Sequence, residues 1–244
     1  MRRPLSVVGT DHEALQALLS LHACPEPRIL DVTHNVGVMW RRLPYRPVRS
    51  DRDALLFEQG HTDLVADFRA LPVSDASYDV IVFDPPHMTD ATTGIHGGRP
   101  RNSREGTAMG RYGVTATDYQ GQLDITFTFD AFLTEARRVL VPRSGVVLAK
   151  IADQIHGNAY RWQARTLQNK AEAVGFCCCD LMLRASWERA GLIDPRWKHI
   201  NHVRQVHTYW LVLRNGPDCF SPTAPLADVK PRAADMFEGI ANET

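Results

Sequence analysis

Apolar positions along the chain fall into short runs that alternate with stretches of helical spacing. Residues 11–22 (DHEALQALLSLH) put Leu15, Leu18 and Leu19 on one face and predict an amphipathic helix, with Thr10 or Asp11 near its cap. Arg28-Ile29-Leu30-Asp31 reads as a first strand, residues near 46–51 as a second, and Thr62 to Ala66 as a third. YDVIVF (78–83) is a continuous apolar strand that must end at Pro85-Pro86, because proline cannot donate to a ladder. FDAFLTEARRVL (129–140) returns to helical spacing and leads to a strand over 146–151. A helix over about 161–174 ends at Gly175, followed by a strand from Phe176 to Leu183 and a last apolar run, HTYWLVLR (207–214). Strands apolar on both faces, alternating with helices, predict a mostly parallel sheet covered on both sides.

Two segments break this rhythm. Residues 88–122 are rich in Gly, Thr and Arg without periodicity, and a loop of that length in a compact domain predicts function or mobility. Beyond Asn215 the chain turns polar and Pro-rich. The expected organisation is one α/β domain over 1–214, a mobile substrate loop at 88–122, and a tail over 215–244.

Composition adds limits. The 244 residues suffice for one well-buried α/β domain. Lys+Arg and Asp+Glu are equal at 28 each, which argues against a general nucleic-acid coat protein and leaves only local basic patches for such contacts. Five cysteines, three of them consecutive at Cys177 to Cys179, form neither a zinc pattern nor a disulfide framework; no metal site is expected, and the run reads as packing residues in a reducing interior. The start MRRPLSVVG lacks an apolar signal core, and no run of about 18 apolar residues occurs, so the expectation is a cytoplasmic protein off the membrane.

The candidate chemistry sits after the strands. In an open α/β sheet, ligands bind outside the carboxyl ends of the strands near the switch point. Asp31 ends the first strand and opens the turn DVTHNVG (31–37), where Asn35 and Gly37 allow backbone to approach a ligand. Asp51 ends the second strand, where a carboxylate accepts from ribose hydroxyls. Asp67 follows the third, where it could accept from an adenine amino group. Asp84 follows the fourth strand in the tetrad Asp84-Pro85-Pro86-His87. An exocyclic base amine is a poor nucleophile because its lone pair is delocalised into the ring. The Asp84 carboxylate and the Pro85 carbonyl can each accept one of its N–H groups and free the lone pair, while His87 offers a ring on which an extruded base stacks.

These segments resemble the class I S-adenosylmethionine-dependent methyltransferases, and within them the DNA amino-methyltransferases. DVTHNVG resembles their first-strand motif, with Asn35 in place of the first glycine, and ADFRALP (66–72), FDPPH (83–87) and VLAKIADQI (147–155) are similar too. The resemblance implies a Rossmann-like domain with a mostly parallel seven-stranded sheet and S-adenosyl-L-methionine as cofactor. It implies cofactor contacts from Asp31, Thr33, Asn35, Gly37, Asp51, Asp67, Phe68 and Asp84, and chemistry at Asp84, Pro85, Pro86 and His87. The implied reaction is methylation of adenine N6 or cytosine N4 in DNA, as in restriction-modification. An RNA base amine, or a catalytically silent binding subunit, is the alternative. Methylation at cytosine C5 is disfavoured because no Pro-Cys dipeptide supplies a thiolate.

The substrate surface is expected from Arg99, Arg101, Arg104, Arg111 and Tyr112 in the long loop; Lys150, at the end of its strand, reads either as a contact to substrate phosphate or the pocket rim, or as a helix-capping or surface lysine. A second basic and aromatic cluster runs from Arg184 through Trp197 and Lys198 to Arg204.

Overall fold

The computed structural model describes residues 6–85, 125–156, 159–185 and 207–217. Pro86, His87 and the arginine loop with Arg99, Arg101, Arg104, Arg111 and Tyr112 lie outside them, as does the cluster between Arg184 and Arg204 except Arg184 itself.

The strands are β1 (Ser6–Val8), β2 (Ile29–Asp31), β3 (Val48–Asp51), β4 (Leu64–Val65), β5 (Val80–Phe83), β6 (Val146–Ile151), β7 (Gln154–His156), β8 (Ala159–Arg161), β9 (Cys177–Ala185) and β10 (His207–Arg214). The helices are α1 (Asp11–His22), α2 (Ala54–Glu58), α3 (Phe129–Val139) and α4 (Gln163–Ala173). One sheet runs β4-β3-β2-β5-β6-β10-β9-β1. Within it only β10 is antiparallel to its neighbours; the other pairings are parallel. The expected seven strands are present, and β1 adds an eighth beside β9.

The continuous apolar runs arise because both sheet faces are covered. Along β5, Val80 and Val82 pack with Leu15 and Leu18 of α1, while Ile81 and Phe83 pack with Phe132 and Leu133 of α3. The alternation repeats in β6 and β10, where Leu148 and Trp210 join the first layer and Ala149 and Leu211 the second. Phe83 stacks on Phe132 with ring centroids 3.8 Å apart.

Three expected elements shift in detail. The second and third strands shorten to β3 and β4, and the helix expected from 161 begins at Gln163 because β7 and β8 form an antiparallel ribbon just before it. Cys178 and Cys179 are half-buried and pack against opposite core layers, whereas Cys177 is disulfide-bonded, which corrects the expectation of three plain packing thiols. The strand alternates its side chains, so three consecutive cysteines cannot share one environment. Among the described residues, no helix is long and apolar enough to cross a membrane.

Candidate active site

The chain turns from one half of the sheet to the other between β2 and β5, and both strands end at the same edge. That is the switch point at which an open α/β sheet leaves a crevice. A cleft of about 710 Å³ occupies it, lined by Thr33, Asn35, Gly37, Asp51, Asp67, Phe68, Asp84 and Lys150 among others. Residues read separately from four strand ends therefore share one cavity, of a size that holds a nucleoside-bearing ligand.

The floor is built by the turn after β2. Asp31 lies behind the cleft, 1% exposed. Its carboxylate accepts from Thr33 N at 3.1 Å, from the Trp40 indole at 2.6 Å, and pairs with His34 Nδ1 at 2.9 Å. Asp31 thus shapes the turn. Asn35 and Gly37 take φ of 51° and 63°, the left-handed conformations that these residue types tolerate. Asp51 at the end of β3 accepts from Asn35 N at 2.9 Å, tying the turn to the next strand. Burial raises the Asp51 pKa above the ordinary carboxylate range, against backbone donors that lower it. A partly desolvated carboxylate of this kind gains from hydroxyl donors.

Gly37 faces the His34 ring closely. A Cβ there would stand 2.2 Å from His34 Nε2, and the ring is held by Asp31. Gly37→Ala is therefore expected to lower folding stability by about 1–3 kcal/mol through clash and positive φ together. Urea unfolding checks this; a change under about 0.5 kcal/mol, the range of ordinary surface substitutions, would mean that His34 swings aside.

Asp67 lines the cleft with a partner from its own turn. Arg69 grips it in a fork, Nε on Oδ1 at 2.9 Å and Nη2 on Oδ2 at 2.5 Å, and this hydrogen bonding lowers the Asp67 pKa. Phe68 beside it stands edge-on to Phe83 and Phe132, so an aromatic wall of the cleft is continuous with the core.

At the other end, Asp84 N donates to Thr33 Oγ1 at 2.7 Å, which joins the loops after β5 and β2. Pro85 is buried directly behind. Lys150, at the end of β6, donates to Asp84 Oδ2 and to Asp11 Oδ2, each at 3.0 Å. Asp11 in turn lies 3.5 Å from Arg184 Nε, which also donates to Gly9 O at 3.0 Å. Burial disfavours the Lys150 ammonium, but Asp84 and Asp11 together outweigh it and raise its pKa. Lys150 thus lines the cleft while holding the Asp84 carboxylate. Asp11, which the sequence offers only as a helix-cap candidate, is the unforeseen member; partners 139 residues apart leave no local pattern. Arg41, Arg42 and Arg52, exposed at the cleft wall, likewise carry no signature in the sequence.

No protein-family model matches the chain, and no curated protein does. Among solved structures, it is similar to a SAM-dependent methyltransferase of Methanosarcina mazei, at 11% identity and TM-score 0.49 over 82% of this chain and 98% of that one. It is similar to TrmN of Thermus thermophilus, at 17% identity and TM-score 0.45 over 82% of this chain and 47% of that one. Another Thermus thermophilus protein, provisionally named a DNA modification methylase and complexed with S-adenosyl-L-methionine, gives 16% identity and TM-score 0.41 over 72% of this chain; the match spans 56% of its length. At these scores, function has to be read from the side chains of this chain.

Proposed function

We propose that the chain is an S-adenosylmethionine-dependent methyltransferase acting on an exocyclic amino group of a DNA base, adenine N6 or cytosine N4. The observation that carries this reading is the hydrogen bond from Asp84 N to Thr33 Oγ1, which ties together two loops that both line the switch-point cleft. It makes one site of two loops, one suited to a nucleoside cofactor and one suited to a base amine.

The cofactor's fit can be judged from the donors and acceptors present. Asp51 offers a desolvated carboxylate to ribose hydroxyls, and the left-handed turn at Asn35 and Gly37 brings backbone to the cavity. Phe68 and Val38 supply apolar wall for a purine. Asp67 is engaged by Arg69, so its carboxylate serves an adenine amine only if it keeps acceptor capacity beyond that fork. When bound, S-adenosylmethionine supplies an electrophilic methyl group on sulfonium. Asp84 accepts an N–H of the target amine and orients its lone pair. Lys150 fixes that carboxylate by donating to Asp84 Oδ2, and His87, which lies outside the described residues, is the stacking ring of this reading.

The amine target follows from acceptor chemistry. DNA is favoured over RNA by the resemblance of FDPPH to the amino-methylating DNA enzymes, and RNA is the second reading. Two measurements test the proposal: calorimetric titration with S-adenosylmethionine, and mass spectrometry of nucleosides from DNA and RNA incubated with protein and cofactor. N6-methyl-2′-deoxyadenosine or N4-methyl-2′-deoxycytidine in the DNA digest is the expected product. Absence of cofactor binding, or methyl groups on ring carbon, would overturn it.

A further inference from the structure

A second surface stands at the same edge of the sheet and is unused by the site above. Where β6 leaves the sheet, the chain doubles back as the β7–β8 ribbon and enters α4 at Trp162. Trp162 is 57% exposed, unusual for a ring of that size. Arg161 and Arg165 flank it, both exposed, with Arg165 one helical turn on. Tyr160 lies against the indole with ring centroids 4.2 Å apart and planes at 47°.

The platform is braced from behind. Burial, with the nearby charge of the buried Asp153, pushes the Tyr160 pKa up to about 12, so its hydroxyl stays neutral. Asp153 accepts from Ala164 N at 3.0 Å, locking the first turn of α4. A second aromatic pair continues the surface. His207 and Tyr209 of β10 are edge-on at 5.0 Å, with His207 Nε2 and the Tyr209 hydroxyl 3.0 Å apart. Tyr209 sits opposite Ile151 in the ladder, one residue past Lys150, and therefore beyond the same strand end as Asp84.

We infer that Tyr160, Trp162 and the flanking Arg161 and Arg165 form a stacking platform for an unpaired stretch of the DNA strand adjoining the target base. Aromatic faces take any unstacked base, and arginines beside them take the phosphates. The acid near this cluster, Asp153, is buried, so the exposed part is cationic and aromatic. A fully stacked duplex presents no base face to Trp162, which sets single-stranded or locally opened DNA as the occupant. The inference rests on the methyltransferase reading for the identity of the substrate, though not for the surface chemistry.

Fluorescence anisotropy of the full chain with labelled single-stranded DNA, its complete duplex, and RNA of the same sequence tests it. Trp162→Ala is expected to weaken single-strand binding about 5- to 150-fold. It should change duplex binding far less, and Trp162→Phe should retain most of the affinity. Arg161→Ala with Arg165→Ala should flatten the single-strand salt slope by about 1.4. Unchanged single-strand binding in both variants, equal losses on duplex, or tighter and Trp162-dependent binding of RNA would each overturn the inference. Calorimetry with S-adenosylmethionine on the same samples separates the two proposals. Cofactor binding with an inert Trp162 sinks the platform alone. Trp162-dependent binding without cofactor affinity sinks the methyltransferase reading alone.

Discussion

Asp84→Ala is expected to lower the single-turnover rate of methyl transfer by at least about 10²- to 10³-fold, the scale of losing one preorganised hydrogen-bonding group at a reacting centre. Asp84 follows β5 at the switch point, its backbone N–H donating to Thr33 Oγ1 and its carboxylate accepting from Lys150. Removing it takes away the acceptor that orients the target amine. The fold should survive, because Lys150 keeps Asp11 as a partner and Asp84 contributes no apolar packing. Equilibrium unfolding and a quenched-flow methyl-transfer assay read the two halves separately. A variant that stays within tenfold of the wild-type rate would remove Asp84 from the chemistry.

Lys150→Met should destabilise the protein and slow transfer together. The Lys150 side chain is 13% exposed and sits between two carboxylates. Deleting the cation leaves Asp84 and Asp11 partly buried without it, and breaking such a pair on one side costs about 3–5 kcal/mol. Urea unfolding of Lys150→Met against Lys150→Met with Asp84→Asn isolates the pair: the double variant is expected to recover part of the loss. A loss below about 1 kcal/mol would place the pair with ordinary surface salt bridges. The pH dependence has a definite sign. The Lys150 pKa is raised above 10.5, so its contribution to stability is complete below that value and fades as pH climbs through the higher folded pKa. The wild type should therefore lose more stability than Lys150→Met above pH 10.5.

The Asp63–Arg49 and Asp79–Arg28 pairs act at the acid end. Hydrogen bonds from each arginine lower the carboxylate pKa, so their contributions are present at neutral pH and lost on acidification. Both pairs are partly or largely exposed, and solvent screening keeps those contributions small.

By itself the sequence determined the elements whose signal is local. The β5, β6 and β10 runs are apolar on both faces because both faces are covered, and Leu15, Leu18 and Leu19 mark the buried side of α1. Asn35 and Gly37 announced a left-handed turn because few other residues enter that conformation cheaply. The acids at 31, 51, 67 and 84 could be picked out because each ends or follows a stretch read as a strand. Only the tertiary structure decided what those acids touch. Asp31 turns inward to His34 and Trp40, Asp67 is taken by Arg69, and Asp84 is held by a lysine that also binds Asp11 from the first helix. Spacing along the chain carries no record of a salt bridge between residues 11, 84 and 150, because it forms only when α1, β5 and β6 converge on one edge. For the same reason Trp162 falls, in sequence, inside the first turn of the helix expected from about 161, and only the fold leaves it in solvent at the carboxyl edge of the sheet.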